Sequence, residues 1–340
     1  MKAVAYQKPA AITDELALQD ITLPDPHPQG RDLLVEVRAV SVNPVDTKVR
    51  ASRAAAGDDW VVLGWDAAGV VRAVGPDVTL FKPGDRVWYA GDLRRAGSNA
   101  ELQLVDERIV GHMPQTLDFA AAASLPLTGI TAWELLFDRL HLPADRRSSK
   151  DRLLIIGAAG GVGSVLVQLA RQLTGLTIIG TASRPETRDW VSQNGAHYVI
   201  DHTLPLLPQL QALGYADVSH VISLTHTEQH FATICELIAP QGKLALIDDP
   251  AEVIDIRKLK AKSVSLHWEL MFTRSLFSTE DMLCQHELLD ELARLVDAGA
   301  VRATQAEHFG RINATNLRRA HALLESGKAR GKIVLEGFES

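Results

Sequence analysis

Four glycines interrupt an uncharged aliphatic run at positions 153–170, LLIIGAAGGVGSVLVQLA. Set against G-x-G-x-x-G, the segment reads Ala158-x-Gly160-x-x-Gly163, with Gly161 as an extra glycine. Small residues at this spacing permit a tight turn and let backbone N–H groups approach a pyrophosphate. A helix starting there points its partially positive end at the same anion. A glycine turn alone says little. Here an aliphatic strand precedes it, the helical pattern VGSVLVQLARQLTG follows, and a second strand, LTIIGTAS, comes next. Together they predict dinucleotide binding by Ala159, Gly160, Gly161, Val162 and Gly163.

The second strand bears on which dinucleotide. NAD sites usually carry an acid at its end, for the ribose hydroxyls. This strand ends Thr181, Ala182, Ser183, Arg184. A hydroxyl and a guanidinium suit a 2′-phosphate, so the expected cofactor is NADPH; the alternative is a solvated arginine opening the next helix. His226-Thr-Glu-Gln-His230 is a further spacing that could do chemistry. Two histidines at i, i+4 share a helical face, but the zincin order is H-E-x-x-H and Glu228 falls elsewhere. The segment is expected as a loop near the cofactor rather than a metal site.

Elements of two kinds must position these residues. Up to about residue 125, MKAVAYQ, DLLVEVRAVSV, AAGVVRAVG and DRVWYAG are strand-like runs between Pro, Gly and Asp. From about residue 150, strands DRLLIIG, LTIIGTAS, AHYVID, HVISL and GKLALID alternate with helical segments such as PETRDWVSQNG. That alternation implies βαβ units and a parallel sheet. A last helix, NLRRAHALLESG, and a strand, GKIVLEG, close the chain.

The 340 residues are enough for two domains, and a formal charge of −7 argues against nucleic acid or an anionic membrane as partner. Two cysteines, Cys235 and Cys284, exclude a disulfide framework and a four-cysteine metal lobe, and fit a reducing cytosol. MKAVAYQKPAAITDE lacks the apolar core of a signal peptide, and the run 153–170 is too interrupted for a membrane span.

AAGGVG at 158–163, FKPGDRV at 81–87 and PLTGITAW at 126–133 resemble the medium-chain dehydrogenase/reductase superfamily. SVNPVDTKVR at 41–50 resembles its zinc-free quinone oxidoreductase, or zeta-crystallin-like, branch. HWELMFTRS at 267–275 is similar to a bacterial subgroup often labelled zinc-type alcohol dehydrogenase-like. The resemblance implies an α/β chain with a GroES-like β-rich catalytic domain, 1–125 completed by 270–340. A doubly wound Rossmann domain would occupy 126–269. It further implies a homodimer, and cofactor contacts from Asn43, Thr128, Ser183, Arg184, His202, Leu224, Thr225, Ile247 and Lys332 besides the glycine turn.

The zinc label can be set against the residues. Zinc members read G-H-E-x-x-G where this chain reads Gly64-Trp65-Asp66-Ala67-Ala68-Gly69, and an indole cannot ligate zinc. The early cysteine ligand is missing from Ser41-Val42-Asn43-Pro44, and GDLRRAGSNAE holds no structural-zinc cysteines. No metal is expected. GWDAAG reads as a former metal loop, its Asp66 holding backbone or an arginine, or only capping a turn.

Without a Lewis acid an ordinary ketone is a poor hydride acceptor, whereas a quinone or α,β-unsaturated carbonyl is already electrophilic. Asn43 is the expected donor at the nicotinamide and acceptor, and Asp46 the orienter of its loop. Lys48, where many relatives have tyrosine, supplies positive charge to an enolate or is merely solvated. Trp65, Trp268, Met271 and Phe272 are expected to wall an aromatic-sized pocket; the bland reading of 268–277 is core or dimer contact. The expectation is a cytosolic, zinc-independent NADPH-dependent reductase of a small-molecule quinone or enone. The rivals are a zinc alcohol dehydrogenase and an NADPH-binding sensor or structural protein with little turnover.

Overall fold

The computed structural model describes residues 1–145, 147 and 149–338. They form two compact units, Met1–Ile130 with Phe272–Ser340, and Thr131–Met271. The divisions lie a few residues beyond the expected 125 and 269. Leu127 N–H donates to Asp66 Oδ1 at 2.8 Å, which keeps PLTGI with the first unit.

The first unit opens with β1 (Lys2–Tyr6), β2 (Gln19–Thr22), β3 (Asp32–Val42), α1 (Pro44–Ser52) and β4 (Val61–Val62). Next come β5 (Ala67–Val74), β6 (Arg86–Tyr89), β7 (Leu102–Asp106), β8 (Val110–His112), α2 (Phe119–Ala123) and α3 (Pro126–Trp133). Strands β2-β1-β4 make a small antiparallel sheet. In β3, Leu33, Val35 and Val37 face the core in alternation, and from Ala39 onward every residue is buried. The alternation marks a sheet with one solvated face, and its loss marks where both faces are covered. Gly64, just ahead of β5, has φ +113, and a Cβ there would lie 2.5 Å from Ser98 Oγ and 2.8 Å from Asn99 N. Only glycine fits this approach, which sets the direction in which Trp65 and Asp66 leave the turn.

The second unit holds β9 (Arg152–Ile156), α4 (Gly161–Leu173), β10 (Thr177–Thr181), α5 (Pro185–Gln193), β11 (Tyr198–Ile200) and α6 (Leu206–Ala212). β12 (Val218–Ser223), α7 (Thr227–Leu237), β13 (Ile238–Leu246) and β14 (Ser265–Trp268) follow. Its six parallel strands run β11-β10-β9-β12-β13-β14, the doubly wound order with its switch between β9 and β12. The central strand, RLLII, is aliphatic because helices cover both faces. Leu154, Ile156, Val221, Phe231, Ile234 and Leu244 belong to one core cluster. Gly163 lies so close to the preceding turn that a Cβ would come within 2.6 Å of Ala158 backbone, so α4 can dock only with glycine there.

The chain then returns to the first unit with α8 (Thr273–Phe277), α9 (Cys284–Asp297), β15 (Gln305–His308), α10 (Ala314–Glu325) and β16 (Lys332–Glu336). β16 pairs antiparallel with β3, placing Ile333 opposite Val42, and completes the sheet β15-β16-β3-β5-β6-β8, with β7 also on β3. This fold matches the expected GroES-like and Rossmann parts. Among the described residues no helix is long and apolar enough to cross a membrane.

Candidate active site

In the first unit the residues singled out at 41–50 and 64–69 come together with one from the far end of the chain. The expected loop at SVNPVD is instead the end of β3, Ser41–Val42, running through the N-cap Asn43 into the first turn of α1. Asn43 is the N-cap in extended conformation, Pro44 supplies a preset φ, and Asp46 Oδ2 accepts Asn43 N–H at 2.7 Å. Asn43 and Asp66 are buried, and Asn43 Nδ2 donates to Asp66 Oδ2 at 2.9 Å. Lys332, at the start of β16, is buried as well. Its ammonium donates to Val42 O and Asp66 Oδ2, each at 2.9 Å, and to Asn43 Oδ1. Asp66 does hold a backbone amide, that of Leu127, but its cationic partner is this lysine rather than an arginine.

The carboxamide of Asn43 is therefore engaged on both ends. Nδ2 also approaches Ser41 O and Trp65 O, but at 3.4 Å each. Its geometry is that of a residue locking the β3–α1 junction to Asp66 and Lys332. Lys48 projects from the exposed side of α1; the cation buried in this cluster is Lys332, expected only as a cofactor contact.

Two carboxyls and one ammonium share this buried cluster. Burial raises both acids, opposed at Asp66 by Lys332 and by hydrogen bonds from Leu127 and Asn43. Asp66 makes the direct ion pair with Lys332, so Asp46 is the acid more readily protonated. Burial pushes Asp46 up to about 7 despite the Asn43 N–H and the Lys332 charge. The folded protein thus holds a proton that an unfolded aspartate, near about 3.9, has lost. The resulting stability is fully present below about pH 4 and disappears as the pH rises through about 7. Asp46→Asn keeps an acceptor for Asn43 N–H and carries no ionisable group. Urea unfolding should therefore show wild-type stability falling between pH 5 and 8 more steeply than the variant's. Parallel pH profiles would contradict this assignment.

Trp65 is buried, donates from Nε1 to Asp92 O at 3.3 Å, and meets Phe272 edge-on at 6.5 Å between ring centroids. Of the expected apolar wall, these two are joined within the first unit. Met271 is buried and Trp268, ending edge strand β14, is 54% exposed; both belong to the second unit. Thr128 is buried in α3, its hydroxyl donating back to Leu125 O at 3.1 Å.

The remaining residues follow the C-terminal ends of parallel strands in the second unit. Ala159 to Gly163 come after β9, Ser183 and Arg184 after β10, His202 after β11, Leu224 and Thr225 after β12, and Ile247 after β13. This edge, at the switch in strand order, is where open α/β sheets bind ligands. Gly160 caps α4, whose first internal bonds run from Ser164 to Gly160 O, leaving the N–H groups of Gly161, Val162 and Gly163 at the open end. Thr181 spends its hydroxyl on Gly157 N–H at 3.1 Å. Arg184 is the N-cap of α5, with Nε 3.4 Å from Glu186 and a side chain 42% exposed. The turn and helix end fit a dinucleotide pyrophosphate, and no carboxylate ends β10.

HTEQH is not a loop. Thr227 opens α7, its amide and hydroxyl both held by Asp248, and His226 is a left-handed N-cap with φ +52. The two histidines therefore do not stack on one helical face. His230 instead meets His202 edge-on at 6.4 Å. The Asp248 contacts, made across 21 residues, explain why the helix starts there.

Residues 29–115 match the alcohol dehydrogenase GroES-like domain and residues 194–335 the zinc-binding dehydrogenase family. A zinc-type alcohol dehydrogenase-like protein of Staphylococcus aureus is 40% identical over 338 residues, covering 98% of this chain and 99% of the relative. A Rhizobium etli CFN 42 protein provisionally described as a zinc-dependent alcohol dehydrogenase has a structure with TM-score 0.96 and 58% identity, covering 100% of this chain and 99% of that one. The quinone oxidoreductase of Coxiella burnetii superposes with TM-score 0.79 at 26% identity, covering 99% of each chain. A mycobacterial protein in complex with NADPH does so with TM-score 0.82 at 26% identity, again over 99% of each. With relatives at this identity over its whole length, the chain belongs to the medium-chain dehydrogenase/reductase superfamily of oxidoreductases.

The catalytic zinc suggested by several of those names does not fit the residues here. An indole fills the ligand position, packed on Phe272 and bonded to Asp92 O. The cation compensating Asp66 is Lys332 Nζ, which a metal at that place would have to displace.

Proposed function

We propose that the protein is a zinc-independent, NADPH-dependent reductase of quinones or α,β-unsaturated carbonyls. The observation that carries the reading is the replacement of a metal centre by the Asn43–Asp66–Lys332 cluster beside Trp65. Such a site has no Lewis acid to polarise a simple ketone, so it suits acceptors that are electrophilic already. The relatives named for quinone reduction and for an NADPH complex support the same choice.

NADPH, when bound, supplies the hydride. The open N–H groups of α4 receive its pyrophosphate, and Ser183 and Arg184 its 2′-phosphate. Asn43, Asp66 and Lys332 hold the N-terminus of α1 rigid, with Asp46 as the acid of its capping box. Trp65 and Phe272, both buried and packed edge-on, back the turn that carries Asp66 with apolar packing and keep water out of it.

NADPH oxidation measured with a panel of quinones, enones and simple ketones tests the proposal. Turnover should be confined to conjugated acceptors and should survive exhaustive chelation. Activity abolished by chelator and restored by zinc would establish the metal-dependent alternative; no turnover with any acceptor would leave a binding protein.

Cofactor choice has its own test. Arg184→Ala removes a charge-assisted contact of about 1.5–3 kcal/mol, so NADPH affinity should fall about tenfold or more. NADH affinity should barely change. Equal losses for the two cofactors would show that Arg184 does not read the 2′-phosphate.

A further inference from the structure

His112, His286 and Asp290 lie in the first unit and take no part in the cluster around Asn43. His112 ends β8, and His286 and Asp290 stand one turn apart on the same face of α9. Each offers one ligand atom, and the three atoms lie within 4.8 Å of one another. We propose that they form a binding site for one transition-metal dication such as Zn²⁺, with two imidazoles and one carboxylate as ligands and water completing the shell.

The groups around the three side chains already aim them. His286 Nδ1 donates to Val110 O at 2.6 Å, so its proton sits on that nitrogen and the Nε2 lone pair is free. A backbone carbonyl on the far nitrogen is how proteins fix the tautomer of a metal-binding histidine. Asp290 Oδ1 accepts His112 N–H at 2.7 Å. Its Oδ2 lies 3.1 Å from His112 Nδ1 and 3.7 Å from His286 Nε2. Phe81 packs on both rings, with centroids 4.6 Å from His112 and 5.5 Å from His286. Ligand atoms around tetrahedral zinc, each about 2.0–2.1 Å from the ion, are about 3.3 Å apart, so the two Asp290 distances nearly fit and the widest pair must close by up to about 1.5 Å. Nitrogen-rich donors favour Zn²⁺, Ni²⁺ or Cu²⁺ over Mg²⁺ or Ca²⁺. The side chains of His112 and Asp290 are 48% and 36% exposed, which leaves an entry path. A bound ion would clamp β8 to α9. A metal here runs against the expectation that the chain holds none, which rests on Trp65 and the missing cysteines and does not weigh these three residues.

The test uses tag-free, chelator-stripped full chain titrated with ZnCl₂ by calorimetry and with Co²⁺ by visible absorption. Wild type should bind one equivalent of Zn²⁺ per chain, show cobalt d–d bands, and melt at higher temperature with zinc present. His286→Gln and His112→Gln, each verified as folded by far-UV circular dichroism, should bind zinc at least about tenfold more weakly and lose the melting shift. No binding by wild type at submillimolar zinc would overturn the proposal, leaving an ion pair between His112 and Asp290. Undiminished binding in either folded variant would overturn it as well.

Discussion

Asn43→Ala is expected to lower kcat for a good quinone acceptor by about 10²-fold or more, the cost of misplacing reacting groups by about an ångström. kcat/KM for the acceptor should fall with it, while NADPH affinity, set at the glycine turn and Arg184, stays near wild type. The truncation removes the amide that bonds Asp66 and Lys332 at once, so the β3–α1 junction loses its lock. Asn43→Asp should be at least as damaging. It replaces the donor facing Asp66 Oδ2, 2.9 Å away, with a second acceptor. Because the variant adds a third buried carboxyl to those of Asp46 and Asp66, its pH–rate profile should shift. A merely structural weakening would leave that profile in place. Near-full activity of Asn43→Asp would remove Asn43 from the working site.

Lys332→Met should destabilise the first unit by about 3–5 kcal/mol, because it leaves the Asp66 carboxylate buried without its cation. Methionine keeps most of the volume, so the loss is electrostatic rather than a cavity. The double variant Lys332→Met with Asp66→Asn should recover most of it, since no buried charge is then left alone. Acidification should also restore the single variant, as Asp66 takes up a proton. Denaturant unfolding of the four proteins of this cycle at pH 7.5 and pH 5 measures each point. Additive losses in the double variant would mean that the Lys332–Asp66 pair contributes no coupling.

Local features were legible before any tertiary information. Alternation in DLLVEVRAVSV, the aliphatic run LLIIG and the glycine turn at 157–163 each encode their conformation in a few neighbouring residues. The parallel sheet followed from strands and helices taking turns. Trp65 in place of a ligand was likewise visible, because one side chain's chemistry decides it. Two expected loops are helix starts instead, one for a non-local reason and one for a local capping box. HTEQH became a helix because Asp248 holds Thr227, and NPVD became a helix start because Asp46 reaches back to Asn43.

What the tertiary structure alone decided lies in contacts between distant positions. Lys332 meets Asp66 across 266 residues, and no spacing rule connects a strand in the tail with a turn near residue 65. Pairing of β16 with β3 brings the lysine there, so the charge balance of the candidate active site is a consequence of sheet register. His112 and Asp290, 178 residues apart, meet only because α9 lies against β8. Sequence by itself determined which groups this chain possesses and which local shapes they take; long-range packing determined which charges are buried together, and burial is what gives those charges their altered proton affinity.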